Sequence, residues 1–235
     1  MKVKKIGGKG DILELEFEGV SPAYINTLRR AILEEVPTLA IEIVEFKQNS
    51  SILYDEIVAH RMGLIPLTTD LKEYSLPSAE EMETQEFHAR SSVKATLTTK
   101  GPCTVYAKDL KFKDPKVKPV HPDTPIAQLL EGQEIELIAT AVLGIGREHA
   151  KWAPGLAYYH EIQKWKGKSL LTADEHTQRK KGAMKGIDES ELTGRTGHYY
   201  FRLECWGQLK PKVVLASAVE RTNALLKEFD GLLKA

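Results

Sequence analysis

The chain has 235 residues, two cysteines and 33 basic against 33 acidic residues. This length favours one large domain or two moderate ones, and such a chain buries roughly 72% of its unfolded surface without needing a disulfide. Cys103 and Cys205 are the two cysteines, which excludes zinc ribbons, ferredoxin-type clusters and disulfide scaffolds. A neutral chain has no global field for nucleic acid or an anionic membrane, and no apolar run approaches the ~20 residues of a membrane span. The expected compartment is the cytoplasm.

The N-terminal segment predicts a strand followed by an amphipathic helix. Residues 13–17 alternate leucine or phenylalanine with glutamate, the pattern of a half-buried strand. Ser21 and Pro22 then offer a cap and a first-turn proline for a helix over residues 22–35. An apolar stripe runs along this helix: Ile25, Leu28 and Ile32. Another strand is expected over residues 40–46.

The middle of the chain, residues 47–160, predicts a β-rich unit because short apolar runs alternate with proline, glycine and charge. Strands are expected over residues 92–97, 104–106 and 135–143, and a short helix over residues 124–130. Residues 161–196 contain eight basic and six acidic residues and are poor in apolar side chains. They predict a flexible surface loop, since they cannot build a core of their own.

The C-terminal end has the same pattern as the N-terminal end. An alternating strand is predicted over residues 199–205 and an amphipathic helix over residues 211–233. Because both ends combine a strand with a long helix while the middle differs, we predict an α+β fold. In this fold an outer domain, made of residues 1–46 and 197–235, is interrupted by an inserted β-rich domain.

Two adjacent arginines in the first helix have different predicted environments. At ~100° per residue, Arg29 lies about 55° from the centre of the apolar stripe and Arg30 about 155° from it. The structural interpretation is that the stem of Arg29 covers the stripe while Arg30 is solvated. The functional interpretation is a docking contact, since guanidinium groups pair with carboxylates in a bidentate manner.

Two clusters of titratable residues allow an enzyme hypothesis, in which His60 or His149 acts with Asp55 or Glu148 as a small hydrolase site. Asp55 and His60 are five positions apart, which differs from the i, i+4 spacing of helical metal sites. The glycine-containing segment 144–155 lacks the pattern of a phosphate-binding loop. The favoured interpretation is structural for residues 55–60 and a strand-end or partner-binding loop for residues 144–155.

A second alternative is a stand-alone nucleic-acid-binding module. It would use the basic run of residues 164–185, bounded by Lys164 and Lys185, with Trp165 as a stacking platform. Acidic residues are interleaved in this run. They favour a solvated loop instead.

Several motifs occur in order along nearly the whole chain. They are residues 26–38 (NTLRRAILEEVPT), the turn 49–51 (NSS), the acidic pair 55–56, residues 60–67 (HRMGLIPL) and residues 148–152 (EHAKW). Together they resemble the alpha-like subunits of DNA-directed RNA polymerase, most closely the archaeal D branch, also called subunit 3, which is related to the third subunit of eukaryotic polymerase II.

This resemblance implies a non-catalytic assembly subunit for transcription, whose outer domain is a dimerisation domain. The partner would be the smaller alpha-like subunit L (subunit 11), and the heterodimer would be the platform on which the large catalytic subunits assemble. The helix residues implied at this interface, divided between internal core and partner contact, are Ile25, Leu28, Ile32, Leu225 and Phe229. Further residues would lie on or support the surfaces that meet the second-largest subunit and the small subunits N (subunit 10) and P (subunit 12): Arg29, Arg30, His60, Arg61, Pro66, Glu148, His149, Lys151 and Trp152. DNA would be contacted only through the complex.

One departure from the relatives concerns metals. Many archaeal D subunits carry a cysteine-rich domain with iron–sulfur clusters before the last strand, whereas residues 161–197 contain no cysteine here. We therefore expect no metal and no iron–sulfur cluster in this chain. No cofactor is expected either, and the resemblance implies no catalytic residue.

Overall fold

The structure is a computed structural model that describes residues 1–162 and 197–234, together with residues 164–165, 168–169 and 192–193. Its helices are α1 (Pro22–Glu34), α2 (Asp55–Gly63), α3 (Ala79–Thr84) and α4 (Pro211–Lys234). Its strands are β1 (Lys2–Gly7), β2 (Ile12–Glu18), β3 (Thr38–Asn49), β4 (Ser92–Lys100), β5 (Cys103–Tyr106), β6 (Lys111–Phe112), β7 (Pro125–Leu129), β8 (Glu134–Gly144), β9 (Gly155–Glu161), β10 (Lys164–Trp165), β11 (Lys168–Ser169), β12 (Leu192–Thr193) and β13 (His198–Cys205). The predicted α+β class is confirmed.

The chain divides into two units, each of which draws on separated parts of the sequence. Unit 1 consists of Met1–Leu33, Gly155–Cys205 and Lys210–Ala235, and therefore contains both chain ends. Unit 2 consists of Glu34–Pro154 and Trp206–Leu209.

Unit 1 contains a four-stranded antiparallel sheet in the order β1-β2-β13-β9. Leu15 lies opposite Phe201, and Phe17 lies opposite Tyr199. All four side chains are buried, and the rings of Phe17 and Phe201 pack edge to face with centroids 5.8 Å apart. The alternation in residues 13–17 therefore places one face of the sheet in the core, as predicted.

Helices α1 and α4 complete this core. The Ser21 hydroxyl accepts a hydrogen bond from the Tyr24 N–H at 3.2 Å, which satisfies one of the unpaired donors at the start of α1. Helix α1 buries its predicted stripe, and α4 contacts β2 and β13 while burying Val214 and Ala218. The two helical periodicities thus supply the apolar cover of the sheet.

The opposite face of the same sheet carries a polar cluster around Glu14. The Tyr200 hydroxyl donates to Glu14 Oε1 at 2.8 Å, and Arg202 Nη1 donates to the same oxygen at 3.3 Å. The ring of His160 stacks on Tyr200 with centroids 4.7 Å apart. Burial, reinforced by the hydrogen bond to Glu14, raises the pKa of Tyr200, so the phenol keeps its proton and remains a donor. This cluster ties β2, β13 and β9 together.

Unit 2 is built around the antiparallel sheet β3-β8-β4-β6, accompanied by the strand pair β5-β7. Its core holds fully buried side chains from three of these strands, for example Ile41, Leu97 and Leu137. Helix α2 adds Val58 and Met62 to the same core. This arrangement of strands accounts for the short apolar runs from which a β-rich middle segment was predicted.

The helix predicted over residues 124–130 is wrong. The segment forms β7, which pairs with β5 so that Val105 lies opposite Ala127. Ile126 and Leu129 are fully buried by this pairing. A partner strand about twenty residues away in sequence therefore decides the conformation, and local propensity does not.

The predicted domain bounds differ from the observed division in three segments, one of which is Trp206–Leu209, which lies in unit 2 instead of the outer domain. Strand β3 lies in unit 2 instead of the outer domain, because it pairs with β8 along most of its length. Strand β9 lies in unit 1, because it pairs with β13. Of the predicted loop 161–196, the structure describes residues 161–162 and the short strands β10, β11 and β12. The remainder of that prediction lies outside the described residues.

Candidate functional site

The predicted interface residues of α1 and α4 fall into two groups. Ile25 and Ile32 are fully buried and Leu28 is nearly so, all within unit 1. Leu225 and Phe229, by contrast, are exposed. The α1 stripe is thus internal core, whereas the second half of α4 presents apolar side chains to solvent.

These exposed side chains form a continuous stripe on the second half of α4. Leu226 and Phe229 are each 60% exposed, and Leu232 and Leu233 are 72% and 70% exposed. We call the following residues the α4 apolar stripe: Leu225, Leu226, Phe229, Leu232 and Leu233. At 100° per residue they cover about 120° of the helix circumference, which is the width of a face that packs against another element. Contiguous exposed apolar patches are typical of interaction sites.

A groove of about 250 Å³ lies between α1 and α4 and continues this apolar surface. Its lining is formed by Tyr24, Thr27, Leu28, Val219, Thr222, Asn223 and Leu226. Tyr24 and Val219 are each 43% exposed. The groove can accept a side chain from a helix laid across the pair.

The two arginines of α1 have the environments that the helical geometry predicts. Arg29 is half-buried, and its Nε donates to Asn26 Oδ1 at 3.1 Å on the preceding turn. Arg30 is exposed. Whether either meets a partner subunit stays a prediction.

The segment 148–152 is held tightly within unit 2. Trp152 is buried, its Nε1 donates to the Val142 carbonyl at 3.1 Å, and its carbonyl accepts from Thr38 Oγ1 at 2.7 Å. The Lys151 ammonium lies 4.5 Å from the centroid of the Trp152 ring, donates to the Ile41 carbonyl at 3.1 Å and pairs with Glu42.

The neighbouring residues of this segment remain at the surface. Glu148 and His149 are exposed. His149 Nδ1 accepts a hydrogen bond from the Lys151 N–H at 3.1 Å. Lys151 and Trp152 therefore support the loop, while Glu148 and His149 are the residues of this motif that present side chains to solvent.

The segment 60–66 ends α2 and starts the next stretch of unit 2. His60 is exposed in the last turn of α2, where a basic residue complements the helix dipole. Arg61 donates to the Pro125 carbonyl at 3.1 Å, and the Pro66 carbonyl accepts from the Val120 N–H at 2.9 Å. Sequence reasoning missed α2 itself, although Asp55 and Glu56 in its first turn are a signal for a helix start.

Two residues of the enzyme hypothesis, Asp55 and His149, make structural contacts. Asp55 Oδ1 accepts from Asn49 Nδ2 at 2.7 Å in the turn before α2, and His149 is occupied as described above. Across the described ranges, no three His, Cys, Asp or Glu side chains are grouped so as to hold a metal ion. None of the helices described there is long and apolar enough to cross a membrane. The basic run 164–185 of the nucleic-acid alternative falls, apart from the backbone of β10 and β11, outside the described residues.

The β-rich unit is similar to a known domain of RNA polymerase subunits. Residues 41–155 match the model of the RNA polymerase Rpb3/RpoA insert domain, which corresponds closely to unit 2. DNA-directed RNA polymerase subunit Rpo3 of Pyrococcus horikoshii is 45% identical over 99% of this chain and 88% of its own length. The subunit of that name from Pyrococcus furiosus is 44% identical over 99% and 88%, and that from Methanothermobacter thermautotrophicus is 36% identical over 86% and 87%.

The chain therefore belongs to the family of archaeal DNA-directed RNA polymerase subunit Rpo3. The resemblance found in the motifs is confirmed, and the chain is an RNA polymerase subunit. The motifs that identified it lie in both units, on α1, on α2 and in the loop before β9.

Proposed function

We propose that this chain is a non-catalytic assembly subunit of the polymerase, which pairs through α1 and α4 with a smaller alpha-like subunit. The α4 apolar stripe is the observation that carries this proposal. The first half of α4 covers the sheet of its own unit, whereas its second half, from Val219 onward, carries large apolar side chains that are 36–72% exposed in the described part of the chain.

The amount of apolar surface suits an obligate partner. Residues 219–234 extend over about 24 Å of helix at 1.5 Å per residue. Burial of each leucine or phenylalanine of the stripe is worth about 1.5–3 kcal/mol. Obligate interfaces bury 2,000 Å² or more and resemble a domain core cut in half. A matching helix pair from a related subunit would complete such a core.

Contacts with the second-largest subunit and with the small subunits N and P belong to the same proposal. They would involve unit 2, where α2 and the turn before it present exposed apolar side chains. Ile52 and Tyr54 are 82% and 79% exposed in that turn, and His60 lies on the same helix. As part of a transcription complex the chain would work in the cytoplasm and meet DNA only through the other subunits.

Co-purification of the full chain with the small alpha-like subunit of the same genome tests the central proposal. The double variant Leu226→Glu/Phe229→Glu introduces two charges into the stripe, and we expect it to reduce partner binding by more than 100-fold. Both side chains are exposed, so the chain's own fold should survive, which circular dichroism checks. Leu28 is unsuitable because it is buried.

The matched control is Leu130→Glu/Leu156→Glu, which changes two exposed leucines that are not part of α4. This variant should keep the partner. If the α4 variant retains the small subunit at normal stoichiometry by light scattering, the interface lies elsewhere and the proposal is wrong.

A further inference from the structure

Unit 2 contains a second apolar groove, which none of the predicted contacts uses. It has a volume of about 540 Å³ and lies between residues 108–114 on one side and residues 115–122 on the other. Its apolar lining includes Leu110, Phe112, Val117, Pro119, Val120 and Pro122. The second wall is fixed in place, because the Thr68 N–H donates to the Lys118 carbonyl at 2.8 Å and the Val120 N–H donates to the Pro66 carbonyl at 2.9 Å.

The first wall of this groove ends a sheet. Strand β6 is the last strand in the order β3-β8-β4-β6, and no strand of the described ranges pairs with its other side. The Lys113 N–H donates to the Lys94 carbonyl at 2.9 Å, and Phe112 lies opposite Ala95. Because hydrogen-bonded and non-hydrogen-bonded pairs alternate in antiparallel sheets, the N–H and C=O of Phe112 point toward the open edge. They can pair with an added strand.

Charges around this edge are uneven. Residues 108–118 contain five lysines and two aspartates. Lys108 pairs with Asp123, and Lys116 pairs with Glu73. Lys111, Lys113 and Lys118 are exposed, and no carboxylate of the described residues lies within salt-bridge distance of their ammonium groups. The edge thus offers cations without internal partners.

Two lysines on neighbouring strands lie side by side on the same face of the sheet. Lys94 on β4 and Lys113 are directly opposite, as the hydrogen bond between them shows. Like charges in opposite positions repel, and an anion placed between them relieves the repulsion. Side chains alternate along a strand, so Lys111 and Lys113 share the solvent face while Phe112 points to the groove side.

We infer that β6 and its groove bind an extended acidic peptide segment of a partner protein by strand addition. The backbone of the segment pairs with Phe112, its apolar side chains enter the groove, and its acidic side chains alternate toward Lys111, Lys113 and Lys94. Strand addition gives affinity through main-chain hydrogen bonds and specificity through alternate side chains. The inference does not depend on the proposed pairing through α4.

Fluorescence anisotropy of the full chain with a labelled peptide Glu-Val-Glu-Val-Glu-Val-Glu tests this inference. We expect saturable binding that weakens at least tenfold in Lys111→Glu/Lys113→Glu, because exposed ion pairs are lost and replaced by repulsion. The control Lys9→Glu/Lys72→Glu makes the same charge change at exposed lysines elsewhere and should bind as the wild type does. A peptide with lysine in place of glutamate should not bind.

A second arm separates strand addition from charge attraction alone. N-methylation of the valines, and in a second peptide of the glutamates, blocks the backbone donors on one edge of the peptide at a time. One of the two peptides should lose binding at least tenfold. The inference is overturned if both N-methylated peptides bind like the parent, if the lysine variant binds unchanged, or if a single-stranded RNA oligonucleotide binds this edge more tightly than the acidic peptide.

Discussion

At the scale of single residues, the contact between Trp152 and Gly144 leaves no room for a side chain at residue 144. The buried indole lies against the backbone of Gly144 at the end of β8. A Cβ atom at residue 144 would come within 2.4 Å of the ring, which is closer than real carbon atoms approach. The ring in turn supports Lys151, whose ammonium lies over it. The lack of a side chain at Gly144 therefore allows the Trp152 ring to pack here and to hold the loop 148–152.

The substitution Gly144→Ala should destabilise unit 2. We expect the free energy of unfolding in urea to fall by about 1–3 kcal/mol, the usual cost of overpacking a rigid core. Gly231→Ala is the matched control, since nothing lies within 4 Å of its added Cβ in α4. An exposed helical alanine in place of glycine should leave stability unchanged or raise it by up to about 1 kcal/mol. Equal effects of both substitutions would contradict this explanation of Gly144.

Glu81 gives a pH-dependent prediction at the same scale. Its carboxylate accepts from the Ser78 N–H at 2.8 Å, from the His88 N–H at 2.9 Å and from Ser91 Oγ at 2.7 Å. These hydrogen bonds, with that of Ser78 the largest cause, lower the pKa of Glu81 to about 2. A lowered pKa in the folded state stabilises above the unfolded value of 4.5, and this contribution is lost as the pH falls toward 2.

Thermal unfolding of the wild type and Glu81→Gln between pH 6 and pH 2 measures this contribution. The wild type should have the higher Tm at pH 6, and the difference should vanish near pH 2. Glu83→Gln in the same helix controls for the removal of one negative charge. A difference in Tm that stays constant over this range would show that the Glu81 hydrogen bonds do not favour the ionised form.

At the scale of elements, prediction succeeded where burial is one-sided and periodic. The strand β2, the helix α1 and the helix α4 each carry one apolar face, so their local patterns report the fold directly. The strand β7 was missed because its conformation depends on β5, and β9 because it depends on β13. The segment that forms β9 contains glycine and clustered aromatic residues, and its sequence has no regular alternation of apolar and polar residues. Pairing across long sequence distances is absent from any local window.

The candidate site was predictable in part for a related reason. Motif resemblance identified the family, and helical spacing placed Ile25 and Ile32 on one stripe. Spacing does not tell which half of a stripe is covered by the chain itself. The structure shows that Leu225 and Phe229 are exposed while Ile25 is not, and that Trp152 acts from the interior. Which part of a helical stripe is buried depends on the sheet against which α1 and α4 pack, and helical spacing alone does not contain that information.

At the scale of the whole molecule, the two units differ in how fully they cover their own apolar side chains. The core of unit 2 is closed by its own strands and α2. The second half of α4 in unit 1 has few buried contacts in the described chain, and such segments open with low free energy. Binding of the small alpha-like subunit should therefore stabilise α4 locally, since a ligand that binds the native state shifts the equilibrium toward it.

Hydrogen exchange followed by mass spectrometry measures this difference. With the partner at 100 times its Kd, amides of residues 223–234 should exchange up to about 100-fold more slowly than in the chain alone. Amides of β8 in unit 2 provide the internal control and should keep their rates. The variant Leu226→Glu/Phe229→Glu should show no slowing in α4 at the same partner concentration. Slowing spread equally over β8 and α4 would mean that the partner acts on the whole chain, and the assignment of pairing to the α4 apolar stripe would be wrong.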